Sequence, residues 1–454
     1  MTTIMKGNDG KGARRRFHQK VTAVFSFLAT LLIMALFWEP DPEAGAAARH
    51  LSSSLRSRMD AIRSRVQQKA NLGHHEEGRQ LGKVQNGSDL QKVLEGKYSL
   101  VDVHVDRSAA ISEDGSYQSI IGSFCQLEWG PHKSDPASTP MFRDVVQGSR
   151  GCKSPVEMDL QKVMEAVSTY DQEHGVEDVN GKVHLLELRG FVFHESRCGS
   201  TLVANVLQAM YPEENRVYSE SAPPINTLKI ADMLGPEAAA TILKDVVYLM
   251  SRSSDPKEKR LFFKIQSIGS TYMNMFLEAF PEIPYLFVYR DPTQVMVSQF
   301  GHGVQNANCV RAQARHPSRL VRALVQRRGI QVPAEKLDPE DLCAAHLASI
   351  TESALHALTE GPNPYGTAVN YNKLPQKLYE EIFPDDWELE ITMEALERMQ
   401  AVAGVYSKAR GPMTGQAFEG DSEEKEEEAT DAMHEAAEVF LSESYQALEQ
   451  LSNA

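Results

Sequence analysis

Phe193 to Met210 reads FHESRCGSTLVANVLQAM. An apolar run ends at His194-Glu195-Ser196, a short loop Arg197-Cys198-Gly199-Ser200-Thr201 follows, and TLVANVLQAM continues with helical spacing. A strand that feeds a helix through such a loop aims backbone N–H groups and the positive end of the helix dipole at one point, which suits an anion. Gly199 lets the backbone come close to a ligand, Ser200 and Thr201 add hydroxyl donors, and Arg197 adds a permanent positive charge. The loop lacks the Gly-Lys-Ser/Thr end of a nucleotide-hydrolysing P-loop. Taken alone, the stretch fits a plain helix cap equally well, with Ser200 or Thr201 as the N-cap.

The surroundings extend the pattern. LLELRGFVF before the loop is a strand candidate, and Ala238–Met250 and TYMNMFLEAF are helical. LFFKI (Leu261 to Ile265), YLFVY (Tyr285 to Tyr289) and TAVNY (Thr367 to Tyr371) are short apolar strands. Strands of this kind alternating with helices predict an α/β fold, a parallel sheet flanked by helices. YLFVYRDPTQVMVSQF offers a second strand-to-helix junction. Its strand ends at Arg290-Asp291-Pro292, Pro292 suits a first helical turn, and Ser298 follows eight residues after Arg290. A helix from Pro292 would turn Ser298 back toward the strand end. Both junctions belong at the carboxyl edge of one sheet, where open α/β folds bind ligands.

These motifs resemble the membrane-bound, Golgi-type sulfotransferases that use 3′-phosphoadenosine-5′-phosphosulfate. The 5′-phosphosulfate loop of that family, roughly Arg-Ser-Gly-Ser/Thr-Thr-Leu, stands here as Arg197-Cys198-Gly199-Ser200-Thr201-Leu202, with Cys198 in place of the usual Ser. Its 3′-phosphate motif, Arg-Asp-Pro with a Ser eight residues after the Arg, stands as Arg290-Asp291-Pro292 and Ser298. FFKI, AFPEIPYLFVYRDP, Tyr406-Ser407-Lys408 and the closing helix are similar too, and the resemblance covers about residues 183–454. It implies a P-loop-like sulfotransferase fold. It implies that Arg197, Cys198, Gly199, Ser200, Thr201, Arg290 and Ser298 bind the donor, Cys198 through its backbone N–H. The donor already carries an activated sulfuryl group, so no metal is expected and the Lys-Ser/Thr end of a hydrolase loop is dispensable. The acceptor would be a hydroxyl or amine of a glycan or protein. By position, Arg197 matches the loop cation and Lys264 a lysine placed near the transferred group; a strand-end lysine reaching to solvent is the alternative. Glu220, in VYSESAPP, resembles the segment that supplies the general base, with His194 as its rival. A surface glutamate and a packed histidine are the plainer readings. Two other functions stay open: a catalytically silent, sulfotransferase-like nucleotide-binding or scaffold protein, and a P-loop kinase. Against the kinase stands the lack of any Gly-x-x-x-x-Gly-Lys-Ser/Thr match.

The chain has 454 residues, 42% of them hydrophobic, and a formal net charge of -15. So acidic a protein repels nucleic acid, which is not expected as a partner. Residues 1–20 form a basic tail with Lys6, Lys11, Arg14, Arg15, Arg16 and Lys20, and 21–38, VTAVFSFLATLLIMALFW, is an uncharged run of 18 residues. Such a run just spans a bilayer, and its basic flank keeps the N-terminus cytoplasmic. The expectation is a single-pass type II signal-anchor with the catalytic domain in the lumen, the Golgi by resemblance. A signal peptide cleaved near Ala46-Ala47-Ala48 is the alternative. Residues 39–95 read as stem and linker. Leu51, Leu55, Met59, Ile62 and Val66 form a helical stripe there, which would serve a homodimer or a fold-back helix. Residues 96–180 read as a lumenal extension of unclear role, with YSLVDVHV as a strand and SPVEMDLQKVMEAVSTYDQEHG as a helix from about Pro155. Residues 181–454 form the catalytic domain.

Asn86-Gly87-Ser88 is a glycosylation sequon. Of five cysteines at least one must stay free in an oxidising lumen. Cys198 is the candidate, and Cys125 with Cys152 a candidate bridge. Arg311, Arg315, Arg319, Arg322, Arg327 and Arg328 would either grip an acidic saccharide or pair with carboxylates. Tyr211, Tyr218 and Trp387 would line an acceptor site or pack in the core. EGDSEEKEEEATD, Glu419 to Asp431, reads as a solvated helix face or mobile loop, and MHEAAEVFLSESYQALEQL as one closing helix.

Overall fold

The computed structural model describes residues 87–111, 117–176, 182–301, 303–408, 410, 413–417 and 420–453. The basic tail, the apolar run 21–38, the stripe from Leu51 to Val66 and Asn86 lie outside the described residues. Among the described residues no helix is long and apolar enough to cross a membrane.

Three antiparallel strands come first: β1 (Ser99–Ile111), β2 (Tyr117–Cys125) and β3 (Val156–Asp159), in the order β1-β2-β3. The expected helix from Pro155 is corrected here. Val156 to Asp159 pair with β2, Phe124 opposite Val156 and Ile121 opposite Asp159. The helix α1 (Leu160–His174) starts only after Asp159, whose side chain accepts the Lys162 N–H at 3.0 Å. That N-cap, behind a β-branched residue, separates strand from helix. The disulfide Cys125–Cys152 spans the loop between β2 and β3, with Cα atoms 5.6 Å apart.

The short strand β4 (His184–Leu185) leads into β5 (Glu187–His194), helix α2 (Ser200–Met210) and β6 (Asn215–Ser219). Helices α3 (Ala222–Leu234) and α4 (Pro236–Ser251) follow, then β7 (Arg252–Ser253), which pairs with β4, and β8 (Arg260–Lys264). Next come β9 (Tyr285–Tyr289), α5 (Pro292–Phe300), the long helix α6 (Pro339–Glu360) and β10 (Gly366–Asn370). Strands β10-β9-β5-β8-β6, in that order, make one parallel sheet. Every residue of β6 and β9 is buried, as helices on both faces of a parallel sheet require. Phe191, Phe193, Tyr218, Phe263 and Phe287 point into one apolar layer, and Val192, Val217, Phe262, Leu286 and Trp387 into the other. Trp387 packs so tightly on the central strand that a Cβ on Gly190 would lie 2.3 Å from its ring. Tyr218 and Trp387 are therefore core residues. Tyr211 is half-buried and donates its hydroxyl to the Glu390 carbonyl at 2.9 Å.

The chain winds from β5 out to β6 and back to β8, then crosses to β9 and β10. The reversal falls between β5 and β9, and a crevice at that point is where such sheets take ligands. Strand β1 packs on α3 and α4, so the antiparallel strands belong to one compact unit with the parallel sheet. The closing segment is two helices, α7 (Asp431–Phe440) and α8 (Ser442–Asn453), broken at Leu441. A second disulfide joins Cys309 to Cys343, and Cys198 is free and buried. Arg322 pairs with Glu335, and Arg327 and Arg328 with Glu352, so half of the arginine cluster is engaged with carboxylates.

Candidate functional site

Strands β5 and β9 run side by side with His194 level with Val288, which brings the two strand-to-helix junctions together. After β5 the backbone turns through left-handed conformations at Ser196 (φ 102°), Arg197 (φ 53°) and Gly199 (φ 81°). Only the last is a glycine; two non-glycine residues in that region mark a strained loop of the kind found at ligand sites. A Cβ on Gly199 would sit 2.7 Å from the Tyr371 ring. Ser200 and Thr201 are buried in the first turn of α2, while Arg197 is exposed. The Cys198 thiol is fully buried and donates to the Val288 carbonyl at 3.1 Å. Burial pushes it up to about 12, so it is inert. Its side chain sits in the seam to β9.

Three more contacts stitch the junctions. Glu195 N–H donates to the Val288 carbonyl at 3.3 Å, the buried Glu195 carboxylate accepts the Arg290 N–H, and Gln299 Nε2 donates to Ser196 Oγ at 3.1 Å. Burial pushes the Glu195 carboxyl well above the usual range, against the Arg290 N–H bond. On the β9 side Asp291 caps α5, accepting from Thr293 N–H at 2.9 Å and Gln294 N–H at 3.1 Å, with Pro292 at the first helical position. The Arg290 side chain is buried. Its Nε donates to Gln294 at 2.9 Å, it stacks on the Tyr371 ring at 4.2 Å, and its Nη2 donates to Asp421 at 2.8 Å. Ser298 lies half-buried in the last turn of α5, beside Gln299.

On the other flank of β5, Ser219 at the end of β6 is level with Lys264 at the end of β8, and Glu220 N–H donates to the Lys264 carbonyl at 2.7 Å. Glu220 also has a positive φ, 56°, and its carbonyl accepts from Gln266 at 3.2 Å. The turn aims its carboxylate at the fully buried Lys264 ammonium, and the two form an ion pair. Lys264 is thus not a lysine reaching to solvent. Removing either partner would strand the other, at a cost of about 3–5 kcal/mol. Burial pushes the Glu220 carboxyl up, but the Lys264 ammonium outweighs it and holds it at about 2.

His194 Nδ1 accepts the Ser196 N–H at 3.1 Å, and Nε2 lies 3.7 Å from the Glu220 carboxylate. A backbone N–H always donates, so the neutral ring must carry its proton on Nε2. Burial and Lys264 keep the imidazole well below its usual value, hence neutral. A ring with Nε2–H facing Glu220 cannot take a proton there. His194 stands beside Glu220 as a neutral imidazole.

Lys408 completes the group, and no role follows for it from the sequence beyond its place in Tyr406-Ser407-Lys408. Burial and the Lys264 charge, then Arg197 and Arg410, push its ammonium down to about 8 against the pull of Glu220. Asn205 on α2 donates to the Ser407 carbonyl at 3.0 Å, and Arg410 pairs with Asp144 at 2.5 Å. Asp144 lies on the short helix Phe142–Gln147, and Ser219 Oγ donates to Met141 Sδ at 3.4 Å. Part of the region 96–180 therefore walls this side. Arg197, Lys264, Lys408 and Arg410 outnumber the carboxylates of Glu220 and Asp144, so the locale is cationic within an acidic protein. Among the described residues no group of His, Cys, Asp or Glu is placed to hold a metal ion.

No family model and no curated protein matches this chain. Two solved structures similar to it are sulfotransferase domains. One, from the olefin synthase of Synechococcus PCC 7002, is 14% identical with a TM-score of 0.29, over 59% of this chain and 94% of that domain. The other, from the curacin biosynthetic pathway, is 15% identical with a TM-score of 0.30, over 59% of this chain and 98% of that domain.

Proposed function

We propose that this chain is a sulfotransferase that moves a sulfuryl group from 3′-phosphoadenosine-5′-phosphosulfate to a hydroxyl or amine of a glycan or protein. One observation carries the reading. The phosphate-type loop Arg197–Thr201 stands on the central strand, with Arg290 on the neighbouring strand to one side and the Glu220–Lys264 pair on the other. A nucleotide lying across the crevice would rest its 3′-phosphate on Arg290 and Ser298. Its 5′-phosphosulfate would meet the N–H groups from Cys198 to Thr201, and the acceptor would approach past Glu220.

The acceptor oxygen attacks sulfur in line, the bond from sulfur to the 5′-phosphate oxygen breaks, and the acceptor proton passes to Glu220. The products are a sulfate ester and adenosine 3′,5′-bisphosphate. Charge grows on the leaving phosphate oxygen, where Arg197, Lys264 and Lys408 stabilise it. Glu220 at about 2 is too weak a base while Lys264 holds it. As negative charge grows on the leaving oxygen, the Lys264 ammonium is drawn to it, its hold on Glu220 weakens, and Glu220 gains basicity when the acceptor proton is released. The apolar run 21–38 would anchor the chain in a Golgi membrane, with the site in the lumen and the stem offering a dimer contact; its charge-free length and basic flank support this.

Calorimetric titration with adenosine 3′,5′-bisphosphate tests the donor. Micromolar binding that requires the 3′-phosphate and is lost in Arg290→Ala is the expected result. Equal affinity for ATP would overturn the reading.

A further inference from the structure

The acidic run from Glu419 to Asp431 has no part in the proposed reaction. Its first described side chain nevertheless reaches the Arg290 side of the site. The Arg290 guanidinium, 3% exposed, directs Nη2 at Asp421 Oδ1 (2.8 Å) and Ser422 Oγ (3.4 Å). The Tyr371 hydroxyl donates to the same Asp421 oxygen at 3.4 Å, and Ser422 Oγ donates to Asn372 Oδ1 at 3.3 Å. A buried guanidinium needs an anion beside it. The anion it has comes from a side chain 36% exposed, at the head of the six-residue helix Ser422–Glu427. That helix buries none of its residues, and Glu423, Glu424, Glu426 and Glu427 all face solvent. A segment so lightly packed opens at small cost.

Resting on the sulfotransferase reading, we propose that Asp421 is an internal anion that the donor's 3′-phosphate must displace from Arg290, and that this competition lowers the chain's affinity for 3′-phosphorylated nucleotides alone. A phosphate brings three oxygens and a second charge to a guanidinium fork that a single carboxylate serves through one oxygen. A nucleotide with a 3′-phosphate therefore wins the exchange. A nucleotide without one offers Arg290 nothing in return, and Asp421 stays. Once displaced, Asp421 moves out among the solvated carboxylates of its own segment, and the like charge of the bound phosphate resists its return.

The test uses the full-length chain, titrated with adenosine 3′,5′-bisphosphate and with adenosine 5′-monophosphate. Asp421→Asn should bind the bisphosphate about tenfold more tightly than wild type, the gain when a seat open about a tenth of the time becomes fully open. Monophosphate affinity should not change. Bisphosphate binding by wild type with no gain in Asp421→Asn would overturn this proposal and leave the sulfotransferase reading standing. Wild type binding both nucleotides equally, or neither, would overturn both. Hydrogen exchange on wild type supplies a readout that needs no variant. Bisphosphate should speed exchange over 421–428 while slowing it over 197–202; slower exchange over 421–428 would overturn the proposal.

Discussion

Lys408 shows how far a residue's chemistry depends on neighbours that lie elsewhere in the chain. An ordinary lysine, near 10.5, would stay charged through any physiological range. Burial and the nearby Lys264, Arg197 and Arg410 bring Lys408 down to about 8. Its cation is present below that pH and lost above it. If the cation stabilises the leaving phosphate, kcat/KM should fall as pH rises through about 8. Lys408→Arg, which keeps its charge, should move that limb upward beyond the measured range, and an unchanged limb would assign it to another group. The loop motifs were legible because each is a run of adjacent residues: Arg197 to Thr201, and Arg290 to Pro292 with Ser298. Lys408 stands in a recognisable triplet, but its lowered proton affinity comes from burial and from side chains as far away in sequence as Arg197. The tautomer of His194 and the burial of Glu195 beneath Arg290 are likewise set through space, so no local pattern announces them.

At the scale of elements, the strands and helices from β5 to β10 follow the apolar runs closely, because a strand buried on both faces leaves an unbroken hydrophobic signal. The region 96–180 has no such signal. Its strands mix buried and exposed positions, and Val156 to Asp159, which buries no residue, carries both strand and helix tendencies until β2 pairs with it. Its contribution to the site was invisible for the same reason: the helix Phe142–Gln147 matters through Asp144, which reaches Arg410 across 266 positions. That ion pair, with the Asn205–Ser407 bond, fixes the segment bearing Lys408. Asp144→Ala should therefore lower kcat on the order of ten- to a hundredfold, as small displacements of a catalytic group do, while bisphosphate affinity stays within about twofold. Equal losses in kcat and nucleotide affinity would instead mean that Asp144 supports the fold as a whole. Asp144→Glu, which can keep the ion pair, should retain most of the activity.

At the scale of the whole molecule, the sequence predicts a parallel sheet but not the order β10-β9-β5-β8-β6, since five short apolar strands can be wound in several ways. That order is what sets the two strand-to-helix junctions next to each other and Glu220 on the far side. Two disulfides brace the layers beyond it, Cys125–Cys152 in the antiparallel strands and Cys309–Cys343 between the helix Asn308–Gln313 and α6. The odd cysteine is held in the seam between β5 and β9, where Val288 accepts from its thiol. A thiol count reads this arrangement directly. The native chain should show no reactive thiol, denaturant alone should release one, and reduction in denaturant should give all five. Each bridge closes a loop of 27 or 34 residues in sequence, so breaking either by a Cys-to-Ser pair should lower stability by about 2–4 kcal/mol. Loss of Cys125–Cys152 should also loosen the wall that carries Asp144, and kcat should fall with it. Loss of Cys309–Cys343 acts on helices away from Glu220 and should leave kcat nearly intact. Three free thiols in unreduced denaturant would mean that one bridge does not form. The variant lacking that pair would then be as stable as wild type.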